Sequence, residues 1–175
     1  MTSTTARVAK FGTQSGLSWQ SIGDPIMGGC SQGALEAVDD ETGAFIGQVS
    51  LANGGGFASV KADLATLDLS GYHGLRLDVQ GDGHTYKLGL RTSHDRKDPV
   101  YQQAFDTHAS EWQILHLPFD GFVATQRGRL LPDAPPLKRS HIASLSLFIS
   151  NRQAGPFRLL LREIAAYSNN LAAGE

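Results

Sequence analysis

Residues 74–92 read GLRLDVQGDGHTYKLGLRT, with apolar side chains at every second position. Leu75, Leu77 and Val79 alternate with Arg76, Asp78 and Gln80, and Tyr86, Leu88 and Leu90 alternate with Lys87, Gly89 and Arg91. A period of two marks strands with one buried and one open face. The glycines of Gly81-Asp82-Gly83 reach positive φ without a Cβ clash, so the segment predicts an antiparallel hairpin. Its open face carries Arg76, Lys87 and Arg91. The alternation returns in Phe45, Gly47, Val49 and Leu51; in Tyr101, Gln103 and Phe105 against Gln102 and Ala104; and in Leu145, Leu147 and Ile149 against Ser144, Ser146 and Phe148. It returns again in Phe157, Leu159 and Leu161 against Arg158, Leu160 and Arg162. Short strands are also expected over 35–38 and 57–62. Residues 112–119, WQILHLPF, are apolar at most positions and predict a strand covered on both faces. Convincing helical periodicity is absent. About eight to eleven short strands, with turn signals every ten or so residues, predict an all-β antiparallel sandwich.

Length and composition narrow the setting. A chain of 175 residues forms one domain by default and buries a substantial core without metal or disulfide support. Order is expected from Trp19, which gives a flexible N-terminal segment 1–18, one sandwich domain over 19–167 and a flexible tail 168–175. The net charge of -2 and a pI near 6.3 give no electrostatic reason to expect nucleic acid or an anionic membrane. The lone Cys30 cannot form an internal disulfide, and MTSTTARVAKFG has no apolar run of a signal or membrane-spanning kind; a cytoplasmic location without membrane insertion is the expectation.

Candidate chemistry is sparse. Residues 23–31, GDPIMGGCS, form a glycine-rich loop that suits either a tight connection or the rim of a site, with Asp24 as a turn cap or a polar contact. Asp39-Asp40-Glu41 lacks the spaced oxygen ligands of a calcium loop and reads as a solvated turn. Asn53-Gly54-Gly55-Gly56 lacks the following lysine and helix of a phosphate cradle and reads as a strand connection. His84, His94, His108, His116 and His141 are scattered, unlike a zinc site, and His116 reads as a satisfied histidine. No nucleophile elbow is present. Residues 122–136, FVATQRGRLLPDAPP, form the longest irregular stretch, and loops of this length are often functional. Its Arg127 and Arg129 can present planar donor forks to carboxylate, phosphate or sugar hydroxyls, or can pin the loop by pairing with Asp133 or Asp24.

Several ordered motifs carry a resemblance. GDPIMGGCS at 23–31, GGGFAS at 54–59, DLSGY at 68–72, Gly81-Asp82-Gly83 with Tyr86-Lys87-Leu88, Glu111-Trp112-Gln113, Arg127-Gly128-Arg129 and QAGPF at 153–157 together resemble the complex I intermediate-associated protein 30 family, over about residues 19–167. The stretch DLSGYHGLRLDVQGDG is also similar to sugar-binding jelly-roll modules. The family resemblance implies a galactose-binding-like jelly roll, in agreement with the strand count. It also implies a non-enzymatic assembly-factor module that recognises a protein partner, respiratory complex I among the candidates, and uses no cofactor. The absence of a leader-like segment resembles bacterial single-domain members. A carbohydrate- or small-ligand-binding module with a polar site on the jelly roll is the alternative. The motif-matching polar residues expected to converge on one end or face are Asp24, Arg91, Gln102, Arg127, Arg129 and Gln153.

Overall fold

A computed structural model describes residues 3–22, 32–50, 56–95, 97–126, 129–150 and 153–169. The described residues form thirteen strands: β1 (Ser3–Lys10), β2 (Trp19–Ile22), β3 (Gln32–Ala37), β4 (Gly43–Val49), β5 (Ala58–Leu67), β6 (Gly74–Gln80), β7 (Thr85–Arg91), β8 (Val100–Asp106), β9 (Trp112–Pro118), β10 (Val123–Gln126), β11 (Arg129–Leu130), β12 (Ile142–Ile149) and β13 (Gly155–Asn169). A 3-10 turn, Phe119–Gly121, follows β9. One sheet has the order β3-β4-β13-β6-β9, with β1 also beside β13; the other runs β11-β10-β8-β7-β12-β5-β2. Every strand pair is antiparallel, so the fold is an all-β sandwich.

The core is what the alternation predicts. Leu88, Leu90, Leu145, Leu147 and Ile149 of the seven-stranded sheet meet Phe45, Leu75, Leu77, Leu159 and Leu161 of the six-stranded sheet, all fully buried. Tyr86 lies among the rings of Phe45, Phe105 and Phe157, with centroids 6.1, 6.1 and 6.3 Å away. Such aromatic arrangements add to the burial of their area.

The structure corrects four expectations. First, the stretch at 74–92 is not a hairpin: β6 joins β13 and β9, whereas β7 joins β12 and β8 in the opposite sheet. The connection arches across the sandwich. A Cβ on Gly81 would lie 2.1 Å from Thr107 Cβ. The Thr107 hydroxyl accepts from the Gly83 N–H at 3.1 Å and donates to the His84 carbonyl at 2.7 Å, while Gly83 takes φ +91°, so both glycines serve the arch. Arg76 consequently faces outward on one sheet, and Lys87 and Arg91 on the other.

Second, β9 is an edge strand. Its inner residues Leu115 and Leu117 pack on the core, but Ile114 on the outer face is 53% exposed. Third, the segment expected to be flexible contains β1, which pairs with the second half of β13 after β4 has paired with the first, and it leads into Ala9 and Phe11 of the core. STTARVAK is nearly devoid of large apolar residues; the main-chain ladder holds it, and binary patterning cannot read that. Fourth, the stretch read as wholly irregular contains β10 and β11, two short strands at the end of the seven-stranded sheet.

Candidate functional site

Because Leu88 and Leu90 point inward, Lys87, Gly89 and Arg91 point away from the core. Beside them on β12 lie Phe148, Ser146 and Ser144, and beyond these on β5 lie Ser59, Lys61 and Asp63. On the other side Gln102 of β8 stands opposite Gly89. This outer row is unusual for a sheet surface. Ser144, Ser146 and Ser59 are respectively 0%, 5% and 3% exposed although they occupy outward positions, so longer neighbours rise around them and the serines form a floor. A Cβ on Gly89 would lie 2.7 Å from the Phe148 ring and 2.9 Å from a Val100 methyl. Phe148 and Val100 therefore lean over Gly89 from its two sides. The half-buried Phe148 supplies an apolar centre, flanked by Lys87 and Gln102.

The rim is polar. Lys61 contacts Asp63 at 3.5 Å, and His94 Nδ1 reaches the same carboxylate at 3.5 Å. Next to them a cleft of about 250 Å³ is lined by Gly16, Leu17, Ser18, Gln20, Lys61 and Asp63. Lys87 has no ion-pair partner among the described residues.

The structure distributes the sequence-derived candidates unevenly. Arg91 donates to the carbonyls of Asp95 at 3.0 Å and Asp98 at 3.2 Å, so it anchors loop 92–99 at the rim. Gln102 is half-buried on the outer face. Arg129 is exposed on β11 opposite Gln126, whose amide donates to the Lys97 carbonyl at 2.8 Å; it belongs to the same end of the sheet as Arg91. Gln153 lies at the other end. Its amide oxygen accepts from the Thr85 N–H at 2.9 Å, and its nitrogen donates to the carbonyls of Thr85 at 2.8 Å and Ser150 at 2.7 Å. Thr85 and Arg91 are the two ends of β7, about 20 Å apart along an extended strand. Asp24 and Arg127 fall outside the described residues, as do the whole glycine-rich loop at 23–31 and the 51–55 connection. Sequence reasoning did not single out Phe148, Ser144, Ser146 and Lys61 as site residues. The alternation places the first three on the open side of their strand, but only the pairing with β7 and β5 brings them together.

The other polar clusters are internally satisfied. Asp39 accepts from the N–H groups of Glu41 at 2.9 Å and Thr42 at 2.8 Å, and Asp40 accepts from the Thr13 hydroxyl at 2.9 Å. The Glu41 N–H and the Thr42 contacts hold the Asp39 carboxyl below the usual carboxylate value. The acidic turn is thus a turn cap, and no group of three or more His, Cys, Asp and Glu among the described residues could hold a metal ion. On the outer face of the six-stranded sheet Glu163 accepts from Arg7 at 2.8 Å and Arg76 at 3.3 Å, beside a cleft of about 710 Å³ with mixed charge.

Nucleophilic chemistry needs a serine bonded to a base. One grouping of that composition on the outer face of the seven-stranded sheet is Asp63, His94 and Ser144, linked by the Ser144–Asp63 register and the His94–Asp63 contact. Ser144 is fully buried and its Oγ has no hydrogen-bond partner, so the grouping lacks the contact between hydroxyl and base.

The chain belongs to the complex I intermediate-associated protein 30 family, whose sequence profile matches residues 9–161. It is 28% identical over 173 residues to an uncharacterized protein of Schizosaccharomyces pombe, a match spanning 87% of this chain and 79% of that one. It is also 28% identical over 106 residues to the mitochondrial complex I intermediate-associated protein 30 of Mus musculus, covering 58% of this chain but 32% of the mouse protein. Among solved structures, the family 11 carbohydrate-binding module of the Clostridium thermocellum cellulase Lic26A-Cel5E superposes with a TM-score of 0.69 at 14% identity over 92% of this chain and 94% of that one. The family 11 module from the same organism, in complex with a β-1,3-1,4-mixed-linked tetrasaccharide, gives 0.63 at 15% identity over 85% and 87%. At these identities the structural likeness defines a carbohydrate-binding-module-like jelly roll and nothing finer.

Proposed function

We propose that the chain is a non-catalytic binding module of assembly-factor type, which recognises a polypeptide partner through the outer face of the seven-stranded sheet. The observation that carries the reading is the contrast between that face's buried serine floor and the donors standing above it. Lys87 and Gln102 project from strands held on both sides by neighbouring strands, so the backbone that presents them is fixed before any partner arrives and need not be ordered on binding. Family membership supports a partner among respiratory-complex intermediates.

A second reading has an observation of its own. Phe148, half-buried beside the Gly89 gap with Lys87 and Gln102 on its flanks, is a small stacking platform ringed by hydrogen-bonding groups, an arrangement suited to a sugar ring.

The test is affinity capture from host lysate with the wild type and a Lys87→Glu/Gln102→Glu double variant, identified by mass spectrometry, with circular dichroism as the folding control. Respiratory-complex subunits recovered with the wild type and lost with the folded double variant are the expected result. Equal recovery with both overturns the assigned face. No recovery with either, together with glycan-array binding that Phe148→Ala abolishes, replaces the assembly reading with the saccharide one.

A further inference from the structure

The strands with a free edge differ in how they discourage association. A strand edge presents unpaired N–H and C=O groups, and natural sheets blunt it with charge, shortness or a bulge. In the seven-stranded sheet the edges are β2, with four residues, and β11, with two including Arg129. In the six-stranded sheet β1 carries Arg7, Lys10 and a register shift at Val8, and β3 carries Glu36. The exception is β9, WQILHLP: seven residues, none charged, bonded to β6 on one side and to no strand on the other among the described residues.

Its outer face is apolar and aromatic. Trp112 has the Arg162 guanidinium 3.7 Å above its ring, Ile114 is 53% exposed, and His116 packs edge-on against Tyr167 at 4.9 Å. Trp, Tyr and Arg are the residue types that dominate interface energetics.

We propose that β9 pairs antiparallel with β9 of a second copy, joining the two six-stranded sheets into one continuous sheet across a two-fold axis. The occupant follows from the sequence of the strand. Paired about Ile114, Trp112 of each copy lies against His116 of the partner subunit, and the two Ile114 side chains meet at the axis. No like charges face each other, and apolar and aromatic cross-strand pairs are favourable. Any other polypeptide would have to present an uncharged strand with large apolar residues at alternate positions; the chain already carries one. The contact is isologous, so it closes at the dimer and does not propagate. Pro118 has no N–H to donate and ends the ladder just beyond the symmetric segment. The outer face of the seven-stranded sheet stays free, so this dimer and the recognition proposed above stand or fall separately.

Analytical ultracentrifugation of the full chain over a wide concentration series tests the proposal. The wild type is expected to show a concentration-dependent monomer–dimer equilibrium, Ile114→Lys to remain monomeric throughout, and Leu130→Lys on the β11 edge to dimerise as the wild type does. Circular dichroism reports whether Ile114→Lys keeps its fold. If it does not, Ile114→Cys in a Cys30→Ser background replaces it, and is expected to form an interchain disulfide on oxidation much faster than Val38→Cys at an equally exposed site. A wild type that is monomeric at every concentration overturns the proposal. So does a dimer that survives a folded Ile114→Lys, or equal cross-linking of the two cysteine variants.

Discussion

Replacing Asp82 by alanine tests how the two sheets are tied together. Its carboxylate accepts from the Arg158 N–H of β13 at 2.7 Å, from the Tyr86 hydroxyl of β7 at 2.9 Å and from the His84 N–H at 3.2 Å. One side chain thus joins a strand of each sheet. Tyr86 is fully buried, so its hydroxyl loses its partner with no access to water, at a cost of about 1–3 kcal/mol. The two N–H groups border solvent through exposed Arg158 and half-buried His84 and recover part of their bonding from water; with the loss of charge assistance they add about 1 kcal/mol. The expected loss is about 3 kcal/mol, or a fall of roughly 6–12 °C in Tm for a chain of this size. The pH dependence is an independent check. Burial pushes the Asp82 carboxyl up, but the bonds from Arg158, His84 and Tyr86 outweigh it and leave the carboxyl below its ordinary value of 3.8. A depressed folded-state value stabilises above the unfolded one and ceases to do so as pH falls through the folded one. Urea unfolding of wild type and Asp82→Ala should therefore show the full gap at pH 7 and a narrowing gap below about pH 4. A gap under about 1 kcal/mol at pH 7, or one equally wide at the lowest pH where both are folded, refutes the clamp.

Three other outcomes follow from named contacts. Gly81→Ala sets a methyl 2.1 Å from Thr107 Cβ and 2.2 Å from its hydroxyl oxygen; a loss of about 3 kcal/mol or more is expected in thermal unfolding. Arg91→Ala frees the carbonyls of Asp95 and Asp98, so amide exchange should accelerate in loop 92–99 while core strands keep their protection. Gln153→Ala breaks two bonds to Thr85 at the start of β7 and one to Ser150 after β12 and should cost about 2 kcal/mol in urea unfolding, yet leave partner capture intact in the folded fraction.

The fold was legible where burial follows a period of two. Leu145, Leu147 and Ile149 against Ser144, Ser146 and Phe148 gave the correct inner and outer faces of β12, and Tyr101 and Phe105 did so for β8. Which strands become neighbours was not legible there. Gly81-Asp82-Gly83 has the composition of a hairpin turn, but here Thr107 and Arg158 bend the same residues into an arch between sheets. Local sequence states that the chain turns, and distant residues decide where it goes. β9 shows the converse. An apolar run reads as a central strand because central strands are buried on both faces, and an edge strand with an associating face has the same composition. In the candidate site, Arg91 and Gln102 were placed on the open face by parity, whereas the floor of Ser59, Ser144 and Ser146 draws on two strands distant in sequence and had no local signal.

This division bears on which residues report function. Gly81, Asp82, Tyr86, Gln153 and Phe157 belong to the motifs that carry the family resemblance, and all five gather at one end of the sandwich. There Asp82 binds Tyr86 and the Arg158 N–H, Gln153 binds Thr85, and Phe157 packs on Phe45 at 4.9 Å and Tyr86 at 6.3 Å. They hold the sheets together, and both N–H donors of the Gln153 amide are already committed to carbonyls. A substitution among them that weakens partner capture would do so by lowering the folded fraction, a shift of a few kcal/mol being a large part of a domain's stability. Residues free to answer a functional question are those whose side chains leave the core and whose bonds are not all taken. Lys87 and the Phe148 ring on the seven-stranded face, and Ile114 on β9, meet that condition. Loss of capture or of dimerisation at these positions, with the unfolding midpoint unchanged, locates a contact in a way that no substitution in the motif cluster can.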